Sequence, residues 1–174
     1  MVNYLKFFAQ SLVLLFFWSC KPKNIILPKS TGLTNQLRID GFYYQKVNPK
    51  NDAVKVIFLY KNGVVLDLLT FEKLDIQAIR NHIKEYYDDN RRNDNRLSWG
   101  IFDLKNLQIS VTNWYPSSGG PLPVYVQKGV VLNDTTFVMN RLEKTNGKKI
   151  EDINSTYKFV QFSPKPDSTN TVLK

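Results

Sequence analysis

From residue 37 onward, apolar and polar positions recur in short runs divided by turn residues, and this rhythm predicts a series of β-hairpins. Leu37 to Lys46, with Ile39, Phe42, Tyr43 and Tyr44, reads as a first strand. Ala53 to Tyr60 and Val64 to Phe71 are rich in β-branched and aromatic residues and flank Asn62-Gly63, the dipeptide favoured in tight hairpin turns. A two-residue loop there sets Lys61 opposite Val64, Leu59 opposite Leu66 and Ile57 opposite Leu68. Phe58, Tyr60, Val65 and Leu69 then share the other face, with Asp67 as its lone charge. Both faces are largely apolar, so these strands are expected to be covered on both sides, by a helix or by barrel closure. Trp99–Leu104 and Leu107–Trp114 form a second hairpin around Lys105-Asn106. Its alternation is clean, with Leu107, Ile109 and Val111 on one face and Gln108, Ser110 and Thr112 on the other. Val124–Leu132 and Thr135–Leu142 form a third around Asn133-Asp134, with Gly129 marking a bulge or close approach. Tyr157–Phe162 is a last strand.

One segment breaks the rhythm. Between Asp75 and Tyr87 the residues Ile76, Ile79, Ile83 and Tyr86 recur at three- and four-residue steps, giving a helix with a single apolar stripe. The polar run from Asp88 to Arg96 ends it. About eight strands and one amphipathic helix predict a mainly β fold: an antiparallel meander, barrel-like or strongly curled, with the helix packed against it.

The first 36 residues do not fit this pattern. Lys6 precedes an apolar run over residues 7–18, too short for the roughly 20 residues of a membrane-spanning helix and suited to a signal peptide. The chain's one cysteine, Cys20, stands where that run stops. Residues 21–36, with Pro22, Pro28 and Gly32, read as a tether, and the proline-containing residues 164–174 as a flexible tail. The expected division is therefore a signal peptide over 1–19, a lipidated tether over 20–36, a β-rich domain over 37–163 and the tail.

Phe17, Trp18, Ser19 and Cys20 resemble the lipobox of bacterial lipoproteins, in which apolar positions and a small residue precede the cysteine. Phe17 in place of the usual Leu, and the bulky Trp18, are similar to variants in Bacteroidetes-type lipoproteins. The resemblance implies acylation of Cys20, cleavage before it and a membrane anchor. Stable anchoring takes two or more acyl chains, each buried CH2 contributing about 0.8 kcal/mol. No acidic residue follows Cys20 directly in Lys21-Pro22-Lys23-Asn24; by the same resemblance, this points to an outer-membrane anchor facing the periplasm. A second, architectural resemblance is to lipocalin and related calycin barrels, through the meander and through Gly41-Phe42-Tyr43, an echo of the lipocalin Gly-x-Trp. Lipocalins place their helix after the last barrel strands, whereas this helix interrupts the series.

Charge and composition add less. The chain carries 24 basic and 15 acidic residues, a net +9, with 11 Phe, 9 Tyr and 3 Trp. Such aromatic content marks a folded domain. The excess positive charge favours anionic surfaces or simply solubility, and with no zinc-finger spacing, RNP-type motif or basic zipper, nucleic acid is not an expected partner. No catalytic constellation stands out. His82, the only histidine, falls beside the helix stripe as a structural residue. There is no Gly-x-Ser-x-Gly elbow, and Asp88, Asp89 and Asp94 lack calcium-loop spacing. No metal or cofactor is expected. Asp67 is the one carboxylate on an apolar strand face. The loop from Asn113 to Pro123 sets Trp114 beside Tyr115 at a strand end, where aromatics line binding mouths. Trp114, Tyr115, Phe58 and Phe102 are the candidate ligand or partner contacts, the two phenylalanines as inward residues of a closed barrel. Two functions remain open: a non-enzymatic envelope interaction or structural module, and a calycin-like carrier of a small hydrophobic ligand.

Overall fold

The computed structural model describes residues 25, 36–48, 50–87, 93–119 and 121–173. The expected signal peptide, Cys20 and nearly all of the tether lie outside the described residues. Eight strands follow one another as a closed antiparallel barrel: β1 (Gly41–Lys46), β2 (Val54–Leu59), β3 (Val64–Phe71), β4 (Trp99–Lys105), β5 (Gln108–Trp114), β6 (Val124–Asn133), β7 (Thr136–Lys144) and β8 (Lys149–Gln161). Each strand pairs with the next, and β8 returns to β1 from Gly41↔Gln161 to Tyr44↔Lys158. The expected mainly β meander with one helix is thus a complete barrel.

The strands have two covered faces. Tyr43, Ile57, Leu59, Val65, Phe102, Leu104, Ile109, Val111, Val131, Phe137, Met139 and Tyr157 form one buried cluster drawn from all eight strands. Only the barrel interior brings all eight together. The second cluster holds Phe42, Val54, Val56, Phe58, Val64, Leu66, Leu68 and Trp99 from the outside of β1–β4, with Ile79 and Ile83 of the helix and Phe162 and Leu173 beyond β8. Ile25 also belongs to it, 3% exposed.

The helix α1 (Ile76–Tyr86) begins at Asp75, whose carboxylate accepts from the amides of Gln77 and Ala78 at 2.9 and 3.0 Å. Ile79 and Ile83 are its buried residues, as the stripe predicts. Truncating either to Ala is expected to cost about 2–5 kcal/mol in denaturant unfolding, and exposed Lys84→Ala almost nothing. Equal losses at all three positions would overturn the assignment of the stripe.

Four expectations are corrected. The β2–β3 loop has three residues, not two. Tyr60 N donates to Val64 O (3.0 Å), Gly63 N donates to Tyr60 O (2.9 Å), and Gly63 sits at φ +84°, the arrangement of a turn followed by a glycine bulge. The register therefore runs Leu59↔Val65, Phe58↔Leu66 and Ile57↔Asp67. A one-residue slip exchanges the faces of a strand. Phe58 consequently lies outside the barrel, edge-on to Phe42 and Phe162, while Asp67 points inward. Leu107 is not a strand residue: with Asn106 it forms the β4–β5 turn at positive φ, 49% exposed. β8 starts at Lys149, well before Tyr157, after a second three-residue loop with Gly147 at φ +82°.

The fourth correction concerns residues 163–173, which lie against the barrel and do not hang loose. Pro166 and Leu173 are buried, and the Tyr60 hydroxyl donates to Pro166 O at 2.8 Å. Lys165 Nζ donates to the carbonyls of Ile39 (2.8 Å) and Leu59 (2.6 Å) and lies 4.1 Å from the Tyr60 ring centroid. Burial pulls the Lys165 pKa down to about 8, with Asp40 opposing it. Between that value and lysine's ordinary 10.5 the folded state has released a proton that the unfolded chain still holds, so stability rises with pH across this window. Tyr43 and Tyr60, raised by burial, act in the opposite sense only above their ordinary value of 10. Urea midpoints measured at pH 7.5 and 9.5 are expected to rise in the wild type and to lose that rise in Lys165→Met. An unchanged slope in the variant would reject the assignment.

Candidate functional site

The barrel's two ends differ. At one end the incoming chain seals the interior: Arg38 N donates to Asp134 O at 2.8 Å, and the Tyr43 hydroxyl lies 2.9 and 3.1 Å from the carbonyls of Arg38 and Asp134. At the other end the β3–β4 ladder stops at Leu66↔Trp99, so the last residues of β3 have no β4 partner. A 3₁₀ turn, Arg96–Ser98, packs against β3, β4 and β5 there. A cavity of about 230 Å3 opens beside it, lined by Lys55, Asp67, Thr70, Leu97, Asn113, Trp114, Tyr115 and Pro116.

The floor of this mouth is polar. Lys55 Nζ lies 2.7 Å from Asp67 Oδ2, with the Lys55 side chain 25% and the Asp67 side chain 7% exposed. The slipped register, with a bulge between Lys55 and Ile57, brings the two onto the inward face. Burial works against the Lys55 ammonium, but Asp67, Tyr157 and Tyr115 together outweigh it and its pKa is raised. Tyr157, beneath the pair, is pushed up to about 12 by burial, with Lys55 drawing it back. Burial also raises Tyr115, although Lys55 and the Gln127 amide, which donates to the Tyr115 hydroxyl at 2.6 Å, oppose the shift.

Two buried acceptors at this end have no hydrogen-bond partner: Asn113 Oδ1 and Gln45 Oε1. Gln45 stands directly across from Lys55 in the β1–β2 ladder. Asn113, 8% exposed, is cross-strand from Gly100, where a Cβ would fall 2.3 Å from Asn113 Oδ1. Glycine at position 100 is what makes room for that amide. A buried acceptor left unsatisfied costs roughly 1–3 kcal/mol.

Beneath this floor the interior is full. The space among Lys55, Ile57, Val111, Met139, Tyr157 and their neighbours is about 10 Å3, about what a single water needs. Phe102 and Tyr43 are fully buried, and Phe137 stacks on Tyr157 with centroids 4.7 Å apart. Of the four contacts expected from the sequence, Tyr115 lines the mouth, Trp114 borders it while packing into the covered exterior cluster, Phe102 fills the interior and Phe58 lies on the covered exterior. The sequence reading missed Lys55, Asn113 and Gln45 as partners of Asp67's surroundings. Asn113 alone carried a signal, as the residue preceding the aromatic pair.

A larger groove of about 480 Å3 runs between α1 and the C-terminal segment, with Arg80, Lys84, Lys165 and Asp167 among its walls. Two of its cations are engaged: Arg80 donates to Ser163 O at 3.0 Å and stacks over Phe162, and Lys165 holds the two carbonyls described above. His82 is half-buried among rings, 4.7 Å from Tyr86 and 5.5 Å from Phe71. Among the described residues no three His, Cys, Asp or Glu side chains gather as a metal site, and no helix is long and apolar enough to cross a membrane. Neither a scan against protein-family models nor searches of curated proteins and of solved structures find a match to this chain.

Proposed function

We propose that this chain is a membrane-anchored lipoprotein of the cell envelope that acts without catalysis, as a protein-interaction or structural module working through its surface and mouth. The observation that carries this reading is the filled barrel. The space among Lys55, Ile57, Val111, Met139 and Tyr157 just below the mouth is about 10 Å3, whereas pockets for drug-sized ligands occupy roughly 300–1,000 Å3. The lipobox-like segment ending at Cys20 supports the anchor. The alternative, a calycin-like carrier of a small hydrophobic ligand, has the closed barrel in its favour but lacks interior volume.

Two measurements test the reading. Labelling of cells with an alkynyl fatty acid is expected to tag the wild-type chain, with Cys20→Ala losing the tag; a label that survives the substitution rejects the anchor. Organic extraction of the purified protein is expected to release no lipid from the domain beyond the covalent acyl chains. A stoichiometric, non-covalent apolar molecule would make the carrier the better reading.

A further inference from the structure

We propose that the open end of the barrel is a binding site for a single neutral sugar ring, either free or as the terminal unit of a glycan. Three features of the mouth select this chemistry. Its volume, about 230 Å3, is below that of a drug-sized pocket and rests on a filled floor, so the occupant is small and does not penetrate the barrel.

The second feature is the mixture of donors and acceptors at zero formal charge. The Lys55 ammonium is balanced by Asp67, so an anionic ligand meets the carboxylate and a cationic one meets the ammonium. Asn113 Oδ1, on the wall of the cavity, is a buried acceptor awaiting a donor, and Lys55 retains N–H groups beyond the one directed at Asp67. An apolar ligand would leave that acceptor as it is. A hydroxyl group answers both sides, donating to an amide oxygen while accepting from the ammonium. A ring bearing several hydroxyls does so at more than one point.

The third feature is the wall. Trp114, Tyr115, Leu97 and Pro116 flank the polar floor, and Tyr115 is held edge-on to Tyr125 at 5.0 Å. A sugar has polar edges and C–H faces, and the faces suit aromatic and proline walls. The glycine at position 100 leaves room for the Asn113 amide as well as for the Thr112 carbonyl, which a Cβ would approach to 2.6 Å.

The test is a titration of the purified full-length protein with glucose, galactose, mannose and N-acetylglucosamine, read by saturation-transfer difference NMR. Glucuronate and glucosamine serve as charged counterparts, and toluene as an apolar probe. At least one neutral sugar is expected to bind saturably, at least tenfold more tightly than its charged counterpart, with Asn113→Leu weakening it by tenfold or more. Circular dichroism melting of Asn113→Leu is expected to show no loss of stability, which separates lost binding from lost folding. Methyl glycosides and a trisaccharide separate the two sources: equal affinity for the free sugar and its glycoside points to a free ligand, and tighter binding of the trisaccharide to a glycan end. No saturable binding by any of the four sugars, binding that Asn113→Leu leaves unchanged, or preferential binding of the charged or apolar probes would overturn the assignment. The extraction experiment stands apart from these outcomes, so failure here leaves the surface-acting module to be judged by its own test.

Discussion

Lys55→Met alone is expected to destabilise the protein by about 3 kcal/mol, the lower end of the range for breaking a buried ion pair. The loss is large because the pair is buried: Asp67 is 5% exposed and the ammonium lies 2.7 Å from its carboxylate. It stays at the lower end because a quarter of the Lys55 side chain remains in reach of solvent. The companion variant decides the cause. Replacing both partners, Lys55→Met with Asp67→Leu, removes the pair as a whole and is expected to recover most of the loss. Urea midpoints for the two variants at pH 7 are the measurement. A double variant as unstable as the single one would mean that local packing, not the broken ion pair, controls stability at the mouth.

Phe102→Ala is expected to cost about 3–5 kcal/mol, since a fully buried ring is removed from an interior with no slack to close over the gap. The variant carries a second consequence. An apolar cavity of that kind stays dry and accepts small apolar molecules. A probe such as toluene at about 100 times its dissociation constant would therefore restore roughly 2.7 kcal/mol to the variant. The wild type, already filled, is expected to show no such shift. Thermal melts of both proteins with and without the probe make the comparison, and an equal shift in the two would place room inside the native barrel.

The sequence disclosed the architecture because the signals for it are local. Hairpin turns, two-residue alternation and the Ile79/Ile83 stripe each lie within a dozen residues and depend on no distant partner. The helix start at Asp75 and the bulge at Gly129 are of this kind: the bulge falls between Lys128 and Gly129, where a Cβ on the glycine would lie 1.9 Å from the Val138 carbonyl. The β2–β3 hairpin shows the limit. Asn62-Gly63 serves a two-residue and a three-residue loop equally well, and the choice moves Phe58 outside and Asp67 inside. The second Asn-Gly, at 146–147, was masked by the long polar run after it. Residues 149–156 are mostly exposed, so β8 shows no hydrophobic period there.

The mouth was harder to read. Asp67 stands out in an apolar strand, but its partner Lys55 follows only from the corrected register. Gln45 joins them through the β1–β2 ladder, and Asn113 through the crossing of β5 with Gly100. The place of Lys165 depends on two backbone carbonyls, and backbone groups leave no trace in side-chain patterning.

The pairing of β8 with β1 has a consequence for how this protein reaches its folded state. The six direct hairpins and the helix-interrupted β3–β4 pair join strands that are consecutive in the chain, whereas Gly41↔Gln161 joins residues at opposite ends of the domain. Bringing the ends of a long chain together carries an entropic cost that no local turn relieves, though each doubling of loop length adds only about 0.6 kcal/mol. The closing ladder is therefore the non-local step in a topology otherwise assembled from neighbours, and such contacts slow folding. Until it forms, the chain is an open curled sheet with two bare edges, β1 and β8, able to pair with another molecule in place of each other. The residues that secure the seam are large and close together: Tyr43 packs edge-on against Phe159 across it, with centroids 5.3 Å apart. Together with the four-pair ladder from Gly41↔Gln161 to Tyr44↔Lys158, that ring contact joins the first strand made to the last and takes both edges away from neighbouring chains.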